Sequence, residues 1–186
     1  MKRTLPGILA LYCLPTILFA QINFQTKSWK EVLAEAKRQR KLIFVDIYTD
    51  WCGPCKMLDR TVFSNETVGK QFNGYFINYK ANAERSGMAL AAEYAVRSYP
   101  TGLFIDGDGQ VVHRFVGYRP AMFFMLEGEQ AMLRTPDGIT MALQQNKFKE
   151  GDRSPALVRN LLTLHRKYGQ ETHSVLENYP TYQTIH

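Results

Sequence analysis

Two cysteines separated by two residues, Cys52 and Cys55, are the side chains of this sequence best suited to chemistry. The apolar run 42–48 precedes them as a candidate strand, and Pro54 suits the first turn of a helix that would begin directly after Cys52. The positive end of a helix dipole lowers the pKa of a thiol placed there, which favours the thiolate. The spacing therefore predicts a reversible disulfide, with Cys52 as the attacking thiolate and Cys55 as the resolving thiol.

Four neighbouring residues are expected to support this pair. Gly53 would let the turn close, and Pro54 would stiffen it. Lys56 adds a cation near the sulfurs, and Trp51 can shield the site on one side. The prediction requires the two sulfur atoms to lie within bonding distance and to remain reachable from solvent.

A metal site and a structural disulfide framework are the alternatives for such a cysteine pair. A structural zinc site needs four ligands, and the third cysteine, Cys13, lies in a separate N-terminal segment. The histidines lack a matching spacing and are interpreted as surface or hydrogen-bonded residues: His113, His165, His173 and His186. A single close pair is too little for a secreted disulfide framework. We therefore expect a pair that cycles, with no metal and no cofactor.

Residues 1–20 have the pattern of a signal peptide, in which Lys2 and Arg3 precede an apolar run that ends at Ala20. We predict cleavage after Ala20 and export of the chain, to the periplasm if the source is bacterial. An uncleaved membrane anchor is the alternative. The formal net charge is +6, two of whose cations lie in this leader. The basic run 37–41 is interpreted as a solvated helix end, so no nucleic-acid partner is expected.

Apolar periodicities predict the element order β-α-β-α-β-α-β-β-α. Ser28 and Glu31 form a capping-box pattern at the first helix, and the uniformly apolar run 42–48 suits a central strand covered on both faces. Crossover helices imply parallel pairing of the first strands, whereas the Gly- and Asp-rich turn 106–109 predicts a final antiparallel hairpin. The fold class is a three-layer α/β/α sandwich with a mixed central sheet. The predicted strands are 22–24, 42–48, 75–81, 103–105 and 111–116, and the helices are 29–40, 54–74 with a break recapped at Ser64, 88–95 and 121–133.

A C-terminal helical extension is predicted to follow this domain. Ser154 and Pro155 have the order of a helix cap and first helical residue, and Gly169 ends that helix. Its apolar face consists of four residues at helical spacing: Leu157, Leu161, Leu164 and Tyr168. We expect this face to pack on the core, with docking of a partner as the alternative. The predicted boundaries are the domain at 21–133, the extension at 134–186, no clear element at 134–151 and a shorter helix at 171–178.

Residues 44–46 together with residues 51–56 resemble the active-site segment of the thioredoxin family. The resemblance covers about residues 23–133 and implies a thioredoxin fold. Asp46 matches the buried acid of the family, which assists proton transfer to and from the resolving thiol, and burial would raise the pKa of this carboxyl. Lys80 falls where thioredoxins place a lysine near that acid. The alternatives are an aspartate that faces solvent at a strand edge and an ordinary exposed lysine.

The resemblance extends to Tyr99, Pro100 and Thr101, which match the cis-proline loop of the family. In the family this loop lies across from the cysteine pair and its backbone pairs with an extended substrate peptide. We therefore predict a cis Tyr99–Pro100 bond, with a trans loop proline as the alternative. Gly117 sits where the family keeps a glycine.

Residues 56–68 are less like small cytosolic thioredoxins and are similar to exported thioredoxin-like domains related to the C-terminal domain of the disulfide reductase DsbD. The resemblance implies an exported thiol–disulfide oxidoreductase that reduces protein disulfides. Its partners would be disulfide-containing proteins and a separate thiol electron donor, for which a membrane protein is one candidate. The alternatives are a peptide-binding or chaperone-like module of the same fold, and a disulfide oxidase or isomerase.

Overall fold

A five-stranded mixed sheet organises the chain in a computed structural model that describes residues 21–169. The strand order is β1-β3-β2-β4-β5. Strands β1 and β2 both run parallel to β3, and β4 runs antiparallel to β2 and to β5. The predicted parallel start and antiparallel end are therefore confirmed. The strands are β1 (Phe24–Gln25), β2 (Leu42–Tyr48), β3 (Phe76–Asn82), β4 (Thr101–Ile105) and β5 (Val111–Val116).

Strand β2 lies at the centre of the sheet and is covered on both faces. Ile43, Val45 and Ile47 belong to one buried cluster, whereas Phe44 belongs to another. Successive side chains of a strand point to opposite faces, so these two clusters lie on opposite sides of the sheet. The expectation of a two-sided central strand is confirmed.

Seven helices complete the described part of the chain. Residues of α1 and α4 pack with Ile43 on one face, whereas residues of α2, α3 and α5 pack with Phe44 on the other. The predicted three-layer α/β/α sandwich is thus confirmed. The helices are α1 (Trp29–Gln39), α2 (Gly53–Leu58), α3 (Glu66–Tyr75), α4 (Met88–Glu93), α5 (Ala121–Met132), α6 (Pro136–Lys149) and α7 (Pro155–Lys167).

The ends of α1 follow the sequence closely. Ser28 and Glu31 form the predicted capping box, in which each side chain binds the backbone of the other. The helix ends at Arg40, which adopts a left-handed conformation with φ of 53°. This termination directs the chain straight into β2.

The junction between α2 and α3 differs from the prediction. A π-helical turn, Asp59–Phe63, follows α2 directly. The new cap is Asn65, whose Oδ1 accepts a hydrogen bond from the Val68 N–H at 3.1 Å, and not Ser64. Ser64 instead donates its hydroxyl to the Arg60 carbonyl, so it closes the preceding turn. Helix α3 also continues past the expected stop at 73–74 to Tyr75.

The described part of the extension, residues 134–169, contains two helices, α6 and α7, where the sequence pattern predicted only the second. Thr135 caps α6 by accepting a hydrogen bond from the Gly138 N–H at 3.1 Å. Helix α7 begins at Pro155 as predicted, although the Ser154 side chain makes no capping hydrogen bond. The shorter helix predicted at 171–178 lies outside the described residues.

The predicted apolar face of α7 packs on the core. Leu157, Leu161 and Tyr168 are buried, and Leu164 packs against the same cluster as Phe44. The Tyr168 ring contacts the Tyr75 ring at 5.4 Å between centroids. The expectation of core packing is therefore confirmed for these residues.

Within residues 21–169, none of the helices combines the length and the apolar character that a membrane crossing requires. The predicted leader at 1–20 and its cleavage site lie outside the described residues, and both stay predictions.

Candidate active site

The cysteine pair lies at the N-terminus of α2, directly after the central strand. Cys52 is the N-cap residue of α2, and its Sγ accepts a hydrogen bond from the Cys55 N–H at 3.1 Å. The two cysteines form a disulfide with an S–S distance of 2.03 Å and a Cα–Cα distance of 5.3 Å. The prediction that these two sulfurs can bridge is confirmed.

Both cysteines are nearly buried, because each exposes only 3% of its surface. We predicted that the sulfurs remain reachable from solvent, and this low exposure restricts access to them. A reacting thiol must therefore dock closely against the turn that carries Cys52.

Trp51 stands beside this turn and is the most exposed large apolar residue described, with 67% of its surface accessible. Its indole Nε1–H donates to the Glu84 carboxylate at 2.8 Å. Its ring meets the Tyr99 ring edge-on at 6.0 Å. These contacts hold the indole between the loop after β3 and the cis-proline loop, and its shielding of the site stays a prediction.

The other three predicted neighbours lie where the sequence places them, but the reason given for Gly53 is wrong. Gly53 does not have a positive φ, and a Cβ built on it meets no atom within 4 Å. Neither the backbone nor the space therefore requires a glycine. Pro54 occupies the first turn of α2, and Lys56 is an exposed residue of the same helix.

Asp46 lies on the central strand β2 inside the protein, with 2% of its surface exposed. The solvent-facing alternative is therefore excluded. Burial raises the pKa of its carboxyl to about 7, an effect that the nearby Lys80 cation reduces and the Asp59 carboxylate reinforces. A carboxyl group with this pKa can take up or release a proton near neutral pH.

Lys80 lies next to Asp46, as the resemblance implied. Its Nζ is 3.6 Å from Asp46 Oδ2, and β3 places the two residues opposite each other in register with β2. Only 22% of the Lys80 side chain is exposed, so it is not an ordinary surface lysine. Its Nζ also lies 4.7 Å from the centre of the Tyr48 ring.

Asp59 belongs to the same group of charges and was missed in the sequence. Its Oδ1 accepts a hydrogen bond from Lys80 Nζ. The signal was present, because Asp59 follows Cys55 by four residues, a spacing that places both on one helix face. The sequence could not reveal which cation this carboxylate would meet.

The cis-proline loop has the predicted geometry. The Tyr99–Pro100 peptide bond is cis, and Thr101 pairs with Ile47 across β4 and β2. Gly117 has a φ of 83°, which favours glycine, and its N–H donates to the Pro100 carbonyl at 2.8 Å. These bonds and the ring contact of Tyr99 with Trp51 place residues 99–101 beside the cysteine turn.

The histidines that are described have protein partners. His113 Nε2 lies 2.6 Å from the Glu127 carboxylate, and its other ring nitrogen contacts Arg134. His165 is buried, with its Nε2 3.4 Å from the Gln145 amide. Within residues 21–169, no group of three or more His, Cys, Asp or Glu residues is arranged to hold a metal ion.

Comparison with known proteins places this geometry in a family. The family model for a thioredoxin-like domain matches residues 29–131, more than half of the chain. A thioredoxin from Chlorobaculum thiosulfatiphilum is 36% identical over 98 residues, which cover 53% of this chain and 79% of that protein. The thiol:disulfide interchange protein DsbD from Tatumella citrea is 32% identical over 95 residues, which cover 48% of this chain and 16% of that protein.

A solved structure is also similar to this chain. The solution structure of a proposed disulphide-isomerase from Bacteroides thetaiotaomicron is 40% identical and has a TM-score of 0.55. It covers 60% of this chain and 93% of that protein. The chain spans about half the length of some curated relatives, such as the spinach chloroplast M-type thioredoxin, of which 47% is matched.

The fold, the disulfide at the start of α2 and the family match agree with one another. The disulfide can accept two electrons and two protons, whereas the role of Asp46 in proton transfer stays a prediction. The chain therefore belongs to the thioredoxin-like family.

Proposed function

We propose that this protein reduces disulfide bonds in exported proteins through a Cys52–Cys55 dithiol cycle. The observation that carries the proposal is the disulfide at the N-terminus of α2. The burial of Asp46 supports it, and so does the cis-proline loop, whose Tyr99 ring contacts Trp51. This arrangement combines a nucleophile, a proton acceptor and a backbone edge that can receive an extended peptide.

The reaction balances over two thiol–disulfide exchanges. The Cys52 thiolate attacks one sulfur of the substrate disulfide, and the other substrate sulfur leaves as a thiol after it gains a proton. Cys55 then gives its proton to Asp46, and its sulfur attacks the Cys52 sulfur of the mixed disulfide. The Cys52–Cys55 disulfide forms, and the second substrate sulfur leaves as a thiolate that takes up a proton from solvent, to which Asp46 returns the proton of Cys55. A donor dithiol must return two electrons and two protons to restart the cycle.

Reduction is the proposed direction, and isomerisation is the second candidate. The Gly-Pro spacer between the cysteines resembles reducing members of the family. The name of the relative from Bacteroides thetaiotaomicron supports isomerisation instead. The two activities differ in their need for Cys55, because an isomerase can rearrange disulfides with the attacking cysteine alone.

Export and a separate donor are part of the proposal. The leader pattern at 1–20 supports export, and the similarity to DsbD supports a membrane thiol donor. Mass spectrometry of protein made in a secreting host tests the first point. A mature chain that begins at Gln21 is expected, whereas retention of Met1 would contradict cleavage.

Reduction of insulin disulfides, measured by turbidity with a chemical dithiol as donor, tests the enzyme assignment. Cys52→Ser should lower the rate to that of the donor alone, because the nucleophile is lost. Cys55→Ser should accumulate a mixed disulfide between Cys52 and insulin. Arg166→Ala is the control, since Arg166 is an exposed residue of α7 and the change should leave the rate unchanged.

Two outcomes would change this assignment. Equal rates for the wild-type protein and Cys52→Ser would exclude the enzyme and favour a peptide-binding module. Recovery of scrambled ribonuclease by Cys55→Ser at the wild-type rate would favour isomerisation over reduction.

A further inference from the structure

The Lys80 ammonium lies between two carboxylates that differ in their access to water. Asp46 has 3% of its side chain exposed, whereas Asp59 has 44% exposed. The ammonium makes a direct hydrogen bond to Asp59 Oδ1, but it stays 3.6 Å from Asp46 Oδ2. That second distance is longer than a normal N–H···O hydrogen bond, so the cation leans towards Asp59.

Asp59 occupies a defined position relative to the cysteines. It ends α2, and its backbone N–H donates to the carbonyl oxygens of Cys55 and Lys56. The π-helical turn that begins with Asp59 then brings Phe63 near Lys80, whose Nζ lies 5.4 Å from that ring centre. The carboxylate is therefore fixed by the helix that carries the resolving cysteine.

We propose that Asp59 is a positioning residue of the redox site, whose carboxylate holds the Lys80 ammonium away from Asp46 and so keeps Asp46 able to carry the proton of Cys55. This inference rests on the proposed dithiol cycle for its purpose, but its geometry is independent of any substrate. Asp59 acts through Lys80 and needs no contact with the reacting sulfurs.

The charges around Asp46 determine how the loss of the Asp59 carboxylate would change the protonation of Asp46. Lys80 faces it from β3 and Asp59 from the end of α2, while Gly102 of β4, opposite Asp46 in register, contributes no side chain. Removing the Asp59 charge ends its repulsion of an ionised Asp46. It also frees Lys80 to pair fully with Asp46. Both changes favour the ionised form of Asp46.

Titration of Asp46 in the oxidised protein tests this inference, because disulfide-bonded cysteines do not titrate there. The carboxyl carbon of Asp46 is followed by NMR as a function of pH. Asp59→Asn should lower the titration midpoint of Asp46 by about one pH unit or more, the size expected for a fully engaged cation. Asp50→Asn is the matched control, since Asp50 pairs with Arg85, and it should leave the midpoint in place.

A second pair of variants tests whether the effect passes through Lys80. In a Lys80→Met background, Asp59→Asn should shift the midpoint by less than half as much, because only direct repulsion remains. An unchanged midpoint in Asp59→Asn would overturn the inference, and so would an equal shift with and without Lys80. The titration uses no substrate, so a protein that fails to reduce insulin can still support or contradict it.

Discussion

Asp46 is the residue at which a proposed functional role most clearly requires a burial that costs stability. A carboxylate with 2% of its surface exposed has lost most of its hydration, and Lys80 compensates only in part. The native protein therefore holds a proton on Asp46 up to a pH of about 7. Burial of this carboxyl therefore lowers the stability of the native protein at any pH at which the carboxyl is ionised.

This cost predicts how stability changes with pH. The native state binds the Asp46 proton up to about pH 7, whereas an unfolded aspartate releases it near the ordinary value of 3.8. The free energy of unfolding contributed by Asp46 therefore falls as pH rises between these values. Asp46→Asn removes this titration. The free energy of unfolding of the variant, taken relative to wild type, should therefore be higher at pH 8 than at pH 4 by on the order of 2–4 kcal/mol.

Urea denaturation of the oxidised proteins at pH 4, 6 and 8 measures this difference. The difference in free energy of unfolding between Asp46→Asn and wild type should increase with each step in pH. A difference that stays constant across the three pH values would show that burial does not perturb Asp46 as described.

At the scale of elements, the junction between α2 and α3 decides what surrounds the site. The π-helical turn Asp59–Phe63 is followed by a new helix that Asn65 caps. The turn therefore contributes to the charge and ring environment of Lys80.

The identity of the cap can be tested with two neighbouring alanine variants. Asn65→Ala removes the acceptor of the Val68 N–H and should lower the free energy of unfolding by about 1 kcal/mol. Ser64→Ala is the matched control, because the Ser64 hydroxyl donates to Arg60 and does not cap α3. Chemical denaturation measures both, and a larger loss in Ser64→Ala would contradict the cap assigned here.

At the scale of the whole molecule, the extension packs at the end of the sheet opposite the disulfide. Lys167 donates to the Arg40 carbonyl, and Lys41 lies over the Tyr168 ring, so α7 adjoins the start of β2. The disulfide follows the other end of this seven-residue strand. The strand length separates the two regions by about 20 Å. We interpret the described part of the extension as support for the core.

Because the two regions are separate, a substitution in the extension should lower stability and leave disulfide reduction unchanged. Tyr168 is buried, contacts Tyr75, and donates its hydroxyl to Asp137 at 3.0 Å. Tyr168→Ala should therefore lower the free energy of unfolding by about 3–5 kcal/mol, as large-to-small core substitutions do. Insulin reduction at a temperature where the variant stays folded should match wild type.

The exposed neighbour Arg166 provides the control for this prediction, and Arg166→Ala should change the free energy of unfolding little. Thermal and urea unfolding measure both variants. A Tyr168→Ala protein that is stable but slow on insulin would show that the extension reaches the redox site.

The amino-acid sequence by itself determined the sheet and the cysteine pair. Local periodicity is sufficient for β2 and α1, since an apolar strand and a capping box need no distant partner. Residue spacing alone indicated Cys52 and Cys55, and the family resemblance supplied Asp46 and the cis bond before Pro100. These features depend on short stretches of chain, which is why they were predictable.

Only the tertiary structure decided what depends on residues that are distant in the chain. The hydrogen bond between Lys80 and Asp59 joins residues that are 21 positions apart in the sequence, and no local pattern predicts that pair. Helix α6 was missed because its apolar positions are weakly periodic and its burial depends on contacts with α5 and α7. The near burial of both cysteines likewise arises from packing around the turn. The spacing of two residues can be read from the sequence, whereas their solvent access depends on the assembled fold.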